Sequence, residues 1–181
     1  MERATLYQEA IERRRAFRLR GYATLADLGH DGPWVSPIQK ICGNLSGPML
    51  VSKDWLDGPS ARKAHARIAE QGHVPGMLYM KIIDAALALV GLSRAQIYVT
   101  PVFCLLPQRR SSVIPAPDRA ASFEAVGQYE LLGRRPIALG QDAAQTLRGF
   151  GVACLETRHP SARGQAHAAR AQEIASALEA A

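Results

Sequence analysis

Apolar residues recur at helical spacing from residue 2 to about residue 18, with Leu6, Ala10, Ile11 and Phe17 in phase, and Gly21 supplies a stop. The stretch from Gly21 to Pro48 loses that period. It holds Gly29, Gly32, Pro33, Pro37, Gly43 and Gly47, long for a connector, so it packs on the body of the domain or carries function. Met49-Leu50-Val51 is a short apolar run opening into polar Ser52-Lys53-Asp54, the pattern of a buried strand that ends in a loop. From about Met77 to Leu92 the period of 3.6 returns strongly, with Ile82, Ile83, Ala86, Leu87 and Val90 inward and Gly91 closing the helix. Ile97 to Thr100 reads as the second strand, extending through Pro101 towards Leu105.

Beyond it, Asp118 is placed to cap a helix running to about Leu132, and Pro136 to Leu139 reads as the third strand. Gly140-Gln141-Asp142 leads into a helix of Ala143 to Arg148, and Val152 to Leu155 reads as the fourth strand. An Ala-rich helix from about Ala162 to Ala180 closes the chain. Short apolar strands alternating with helices predict an α/β fold, a parallel sheet covered by helices on both faces. In such sheets ligands sit beyond the carboxyl ends of the strands. That rule selects Ser52 to Asp57, Pro101 to Arg110, Gly140 to Asp142 and Arg158 to Arg163.

The chain of 181 residues fits one domain, 1–181. Within it, 1–47 is a helix with a loop-rich lead-in, 48–163 is the core and 164–181 is a final helix. No repeat or low-complexity linker divides it. Hydrophobic residues at 48% and charged residues at 21% exclude wholesale disorder. No apolar run approaches the roughly 18 residues of a membrane span, and the charged N-terminus lacks the apolar centre of a signal peptide. An intracellular protein is expected. Cys42, Cys104 and Cys154 are far apart and odd in number, which argues against a disulfide framework, and no CxxC pair supports zinc or an iron–sulfur cluster. No metal and no cofactor is expected.

Lys and Arg total 22 against 16 Asp and Glu, a net charge of +6, which favours an anionic partner and nucleic acid first. The cations cluster: Arg13, Arg14, Arg15, Arg18 and Arg20 in the first helix, Arg109 and Arg110 after a strand, Arg158 and Arg163 beside His159. Two strand-end segments carry the chemistry, Val51-Ser52-Lys53-Asp54-Trp55-Leu56-Asp57-Gly58 and Thr157-Arg158-His159-Pro160-Ser161-Ala162-Arg163. They bring carboxylates and an imidazole to one edge of the sheet.

The order of these two segments resembles the uracil-DNA glycosylase superfamily, with its acidic loop after the first strand and HPS-type loop after the fourth. The likeness covers about Pro48 to Arg163. Gly91 to Thr100 is similar to the family's helix-to-strand passage, Gly133 to Gly140 to its third strand, and Asp142-Ala143-Ala144 to the helix that follows. The resemblance implies a three-layer sandwich with a central four-stranded parallel sheet. It also implies excision of a modified or deaminated base, flipped out of double- or single-stranded DNA, by cleavage of its N-glycosidic bond. Asp54 is the implied group that stabilises the sugar cation and orients water, with Asp57 as its rival. His159 is the implied donor to the departing base. Ser161, Arg158 and Arg163 would hold phosphate, aided by the N-terminus of the last helix. Trp55 either packs beneath the loop or stacks on the base, and Lys53 either holds down the pKa of Asp54 or faces solvent. A monomer is expected.

The chain departs from the family pattern at defined places. Ser52-Lys53 stands where Gly-Gln or Gly-Glu is usual. Pro101 replaces the Asn that reads the uracil edge, and Pro has no side-chain donor or acceptor. Near the expected stacking Phe lies Pro75, with Tyr79 or Trp55 as substitutes. The scaffold is kept and the base-reading pocket is altered. Two other functions therefore fit the same residues: group transfer onto a modified base in DNA hypermodification, and a non-catalytic DNA-binding or interaction module.

Overall fold

In the computed structural model, which describes residues 2–181, strand β1 (Met49–Asp54) alternates its side chains between two apolar cores. Met49 and Val51 face one side, with Tyr98, Val102, Phe123, Ala138 and Leu147. Leu50 faces the other, with Ile82, Ile83, Leu87, Val99, Ile137 and Leu139. Period-two alternation between two covered faces is what makes the middle layer of a three-layer sandwich.

The sheet has the order β2-β1-β3-β4 and is parallel throughout, with β2 (Tyr98–Phe103), β3 (Ile137–Leu139) and β4 (Leu155–Thr157). Pro101 is tolerated because β2 is an edge strand, where a missing N–H breaks no ladder on its open side. One face is covered by α4 (Leu78–Val90) packed on α8 (His167–Glu179), through Ile83, Ala86 and Leu87 against Ala171, Ile174 and Ala175. Truncating one such side chain, Ile83 for example, costs about 2–5 kcal/mol. Gly91 ends α4 at φ 69°, and Leu92 N–H reaches Leu87 C=O at 3.0 Å, a left-handed cap that an L side chain resists.

The other face carries α1 (Arg3–Ala16), α5 (Ala116–Ser122), a π-turn over Phe123–Gly127, α6 (Gln128–Glu130) and α7 (Gln141–Gly149). Beneath them Glu130 is wholly buried and receives hydrogen bonds from Tyr98 Oη, from Thr100 Oγ1 at 2.8 Å and from Gln39 Nε2 at 3.0 Å. Gln39 in turn accepts from Tyr7 Oη at 2.7 Å, so one polar network ties α1, the 37–40 turn, β2 and α6 together.

Several boundaries differ from the sequence expectation. The fourth strand pairs over Leu155–Thr157 rather than 152–155, because its register is set against Ile137–Leu139. The last helix begins at His167, not 162. Asp118 is not a cap: the helix starts at Ala116 after Pro115, and Asp118 accepts a hydrogen bond from Tyr22 Oη at 2.7 Å. Two further helices, α2 (Gly58–Lys63) and α3 (His65–Gln71), occupy a stretch to which the sequence pattern assigned no element. Among the described residues no helix is long and apolar enough to cross a membrane.

Candidate active site

The chain runs from β1 to β2 on one side and returns to β3 on the other, so the switch in strand order falls at the carboxyl end of β1. Helices and loops diverge there and leave a crevice. A cleft of about 380 Å³ opens at this point. Its wall includes Asp54 from the end of β1, Gly140 and Asp142 after β3, and His159 and Ser161 after β4. Its floor is apolar, with Ile38, Met80, Val99 and Leu139.

Asp54 is the last residue of β1, paired with Phe103, and sits half-buried. Burial pushes its carboxyl up from the ordinary range, Lys53 opposes that rise, and Asp57 and Asp142 add to it. Lys53 does not face solvent freely: its Nζ donates to Ser112 C=O at 3.1 Å, tying β1 to the loop after β2. Ser52 Oγ donates to Asp54 C=O at 3.2 Å.

Asp57 has two roles. Its Oδ1 accepts Ser60 N–H at 2.9 Å, capping α2, while Oδ2 is buried without a partner, and the residue lines the cleft at 4% exposure. Trp55 also lines the cleft and packs edge-on to His30 at 5.9 Å, so it is both a support beneath the loop and a wall of the site. Tyr79 lines the cleft with its ring 5.6 Å from that of His159, and its hydroxyl is buried without a partner. Pro101 lies beside Ser52 in the sheet and in the cleft wall.

His159 is fixed by its own loop. Ala162 N–H returns to His159 C=O at 2.8 Å, a turn for which Pro160 has the right φ. Ser161 N–H donates to His159 Nδ1 at 3.1 Å. Nδ1 is therefore an acceptor, and in the neutral ring Nε2 carries the proton. Burial, with Lys53 and Arg170 nearby, holds the imidazole below its ordinary pKa, against a smaller opposing effect of Asp142. The ring is thus set as a neutral N–H donor. Arg170, 4% exposed, clamps the loop from behind, with Nη1 on Pro160 C=O at 2.5 Å and Ala162 C=O at 2.6 Å.

Of the residues expected at the site, Ser52, Lys53, Asp54, Trp55, Asp57, Pro101, His159 and Ser161 line the one cleft. Arg158 and Arg163 belong to the same loop but are exposed outside the lining, and Glu173 accepts from the backbone N–H of Arg158 at 2.7 Å. The last helix starts at His167, beyond the loop in sequence, rather than at Ala162. Sequence reasoning missed His73, Val74 and Met77, which enter the cleft from the segment between α3 and α4. They follow no strand, so the strand-end rule gives no signal for them. Among the described residues no three His, Cys, Asp or Glu side chains group to hold a metal ion.

Compared with known proteins, the chain matches no family model and no curated protein significantly.

Proposed function

We propose that this cleft cleaves the N-glycosidic bond of a modified or deaminated base flipped out of DNA. The observation that carries it is the meeting of Asp54, at the end of β1, and His159, from the loop after β4, in one cleft. As a glycosidic bond breaks, positive charge grows on the sugar and negative charge on the base. A carboxylate on one side and a neutral N–H donor on the other match that separation. Asp54, ionised, stabilises the cation and orients the attacking water, and His159 Nε2–H bonds the oxygen of the departing base. Asp142 and Asp57 raise the cost of ionising Asp54, so substrate that brings positive charge to the site is favoured over an empty cleft. About 380 Å³ lies at the small end of ligand clefts, roughly 300–1,000 Å³, a size suited to one base and its sugar.

Pro101 favours group transfer to the base as a second chemistry. At that point the cleft wall has no side-chain hydrogen bond with which to read a uracil edge. The two are separated by incubating the protein with oligonucleotides carrying uracil, hypoxanthine, xanthine or modified pyrimidines. Free base in solution supports hydrolysis, a heavier nucleoside with its glycosidic bond intact supports transfer, and neither product at stoichiometric protein overturns both.

A further inference from the structure

Asp57 is 4% exposed and stands on the cleft wall with one of its two carboxylate oxygens unused. Oδ1 accepts Ser60 N–H at 2.9 Å, while Oδ2 is buried without a partner. A carboxylate oxygen accepts and does not donate, and burying one without a donor is costly. Among the described residues no Lys, Arg or His side chain forms an ion pair with Asp57 or with Asp54.

The cations around the cleft are committed elsewhere or stand in water. Lys53 Nζ donates to Ser112 C=O at 3.1 Å, and Arg110 is exposed. Asp142, the third acid of the wall, already has Arg119 Nη2 at 3.2 Å. Pro101 offers no side-chain donor. Two acids, Asp54 and Asp57, therefore share one cleft with no cation bound to either. Burial first, then Asp57 and Asp142, push the carboxyl of Asp54 up against the pull of Lys53. Val74 and Met77 add apolar surface to that of the floor.

We infer that the substrate is a modified base whose substituent ends in a protonated amine, and that Asp57 Oδ2 is the specificity-determining acceptor for that group. The inference rests on the proposed reading of the cleft as the seat of an everted base. An aliphatic amine stays protonated to about pH 10, as in Lys, and supplies the N–H donor that Oδ2 lacks. Its methylenes suit the apolar lining. Its charge also offsets the effect of Asp57 on Asp54 and so eases ionisation of the acid that stabilises the sugar cation. None of the four unmodified bases is positively charged at neutral pH, so the same group discriminates against ordinary DNA. A deaminated base, which turns a carbonyl oxygen where an amine would stand, leaves Oδ2 unpaired.

The test uses the full chain and oligonucleotides in which uracil carries an aminomethyl or aminopropyl arm. Hydroxymethyl and hydroxypropyl arms serve as uncharged isosteres, beside plain uracil, hypoxanthine and xanthine. Single-turnover base release and oligonucleotide affinity are both measured. The wild type is expected to release at least one amine-bearing base about tenfold faster than its hydroxyl isostere, the worth of one charge-assisted hydrogen bond. Asp57→Asn keeps an oxygen for the cap, puts an N–H donor in place of Oδ2, and should bring that ratio to about one at a near-wild-type melting temperature. A wild-type ratio near one for both arm lengths, or the same ratio in Asp57→Asn, overturns the assignment. Release of any of these bases alongside that result leaves the cleft chemistry intact. With no base released from any strand the hydrolytic reading falls and affinity decides. Tighter wild-type binding of an amine-bearing strand than of its isostere, lost in Asp57→Asn, keeps the assignment, and equal binding overturns it.

Discussion

Gly140 and His159 meet at the carboxyl edge of the sheet: a Cβ built on Gly140 would stand 3.1 Å from the Cβ of His159. Gly140 has φ 97° and ψ 166°, a region open essentially to glycine alone, and its N–H bonds Thr157 C=O at 2.9 Å. The glycine lets the ends of β3 and β4 close together, which brings the imidazole into the same cleft as Asp54.

Gly140→Ala should therefore act on the site as well as on the fold. Backbone strain of this kind costs about 1–3 kcal/mol, and the added methyl displaces His159. A lowered melting temperature together with a loss of base release larger than that of an equally destabilised core variant such as Ile83→Val is the expected result. Equal losses would mean that the contact does not position the ring.

Arg170→Met keeps the stem of the side chain but removes its two hydrogen bonds to Pro160 and Ala162 carbonyls. Each buried acceptor left unpaired costs about 1–3 kcal/mol. The His159 loop should loosen first, seen as faster hydrogen exchange over residues 159–162 at a denaturant concentration where α4 stays protected.

Glu130 makes stability depend on pH. Burial, the largest effect, pushes its carboxyl from 4.5 up to about 7, while Tyr98, Thr100, Gln39 and Arg134 pull it the other way. Tyr7 also faces this network, through Gln39. The folded chain holds the proton to a higher pH than the unfolded chain, so it binds more protons between those values. The stabilisation is complete below about 4.5, and it is lost as pH rises through about 7. Denaturant midpoints should fall over that window in the wild type and fall less in Glu130→Gln.

Asp57 separates capping from cleft chemistry. Asp57→Ala removes the acceptor for Ser60 N–H and should cost about 1 kcal/mol, whereas Asp57→Asn keeps an oxygen at the cap and should cost only a few tenths. Thermal melts of the two variants check it. Near-wild-type stability of Asp57→Ala would contradict the cap.

What could be read from the sequence follows the physics of period and distance. β1, β2, β3 and α4 were legible because their apolar residues keep one spacing and are buried. The segment 58–71 was not, because α2 and α3 bury only Gly58, Ala61 and Ile68, too few to set a period. The fourth strand was misplaced since Val152 to Leu155 is the apolar run, yet pairing with β3 begins at Leu155. The strand-end rule found Asp54 and His159, and the motif order placed them together. The Glu130 network stayed hidden: Gln39 and Glu130 are 91 positions apart, and nothing local in either segment marks the partner.

The central claim is that Asp54 and His159 act together on one glycosidic bond. Its most direct test is release of free base, at stoichiometric protein, by wild type, Asp54→Asn, His159→Ala and the double variant, from 5 to 8 in pH. The wild type should release base, with a rate that rises as pH increases through the raised pKa of Asp54 and then levels while His159 is neutral. Each single variant should lose about 10²-fold or more, and the double variant little beyond the worse single. Wild-type release undiminished in Asp54→Asn and His159→Ala, or no release from any modified base, would contradict it.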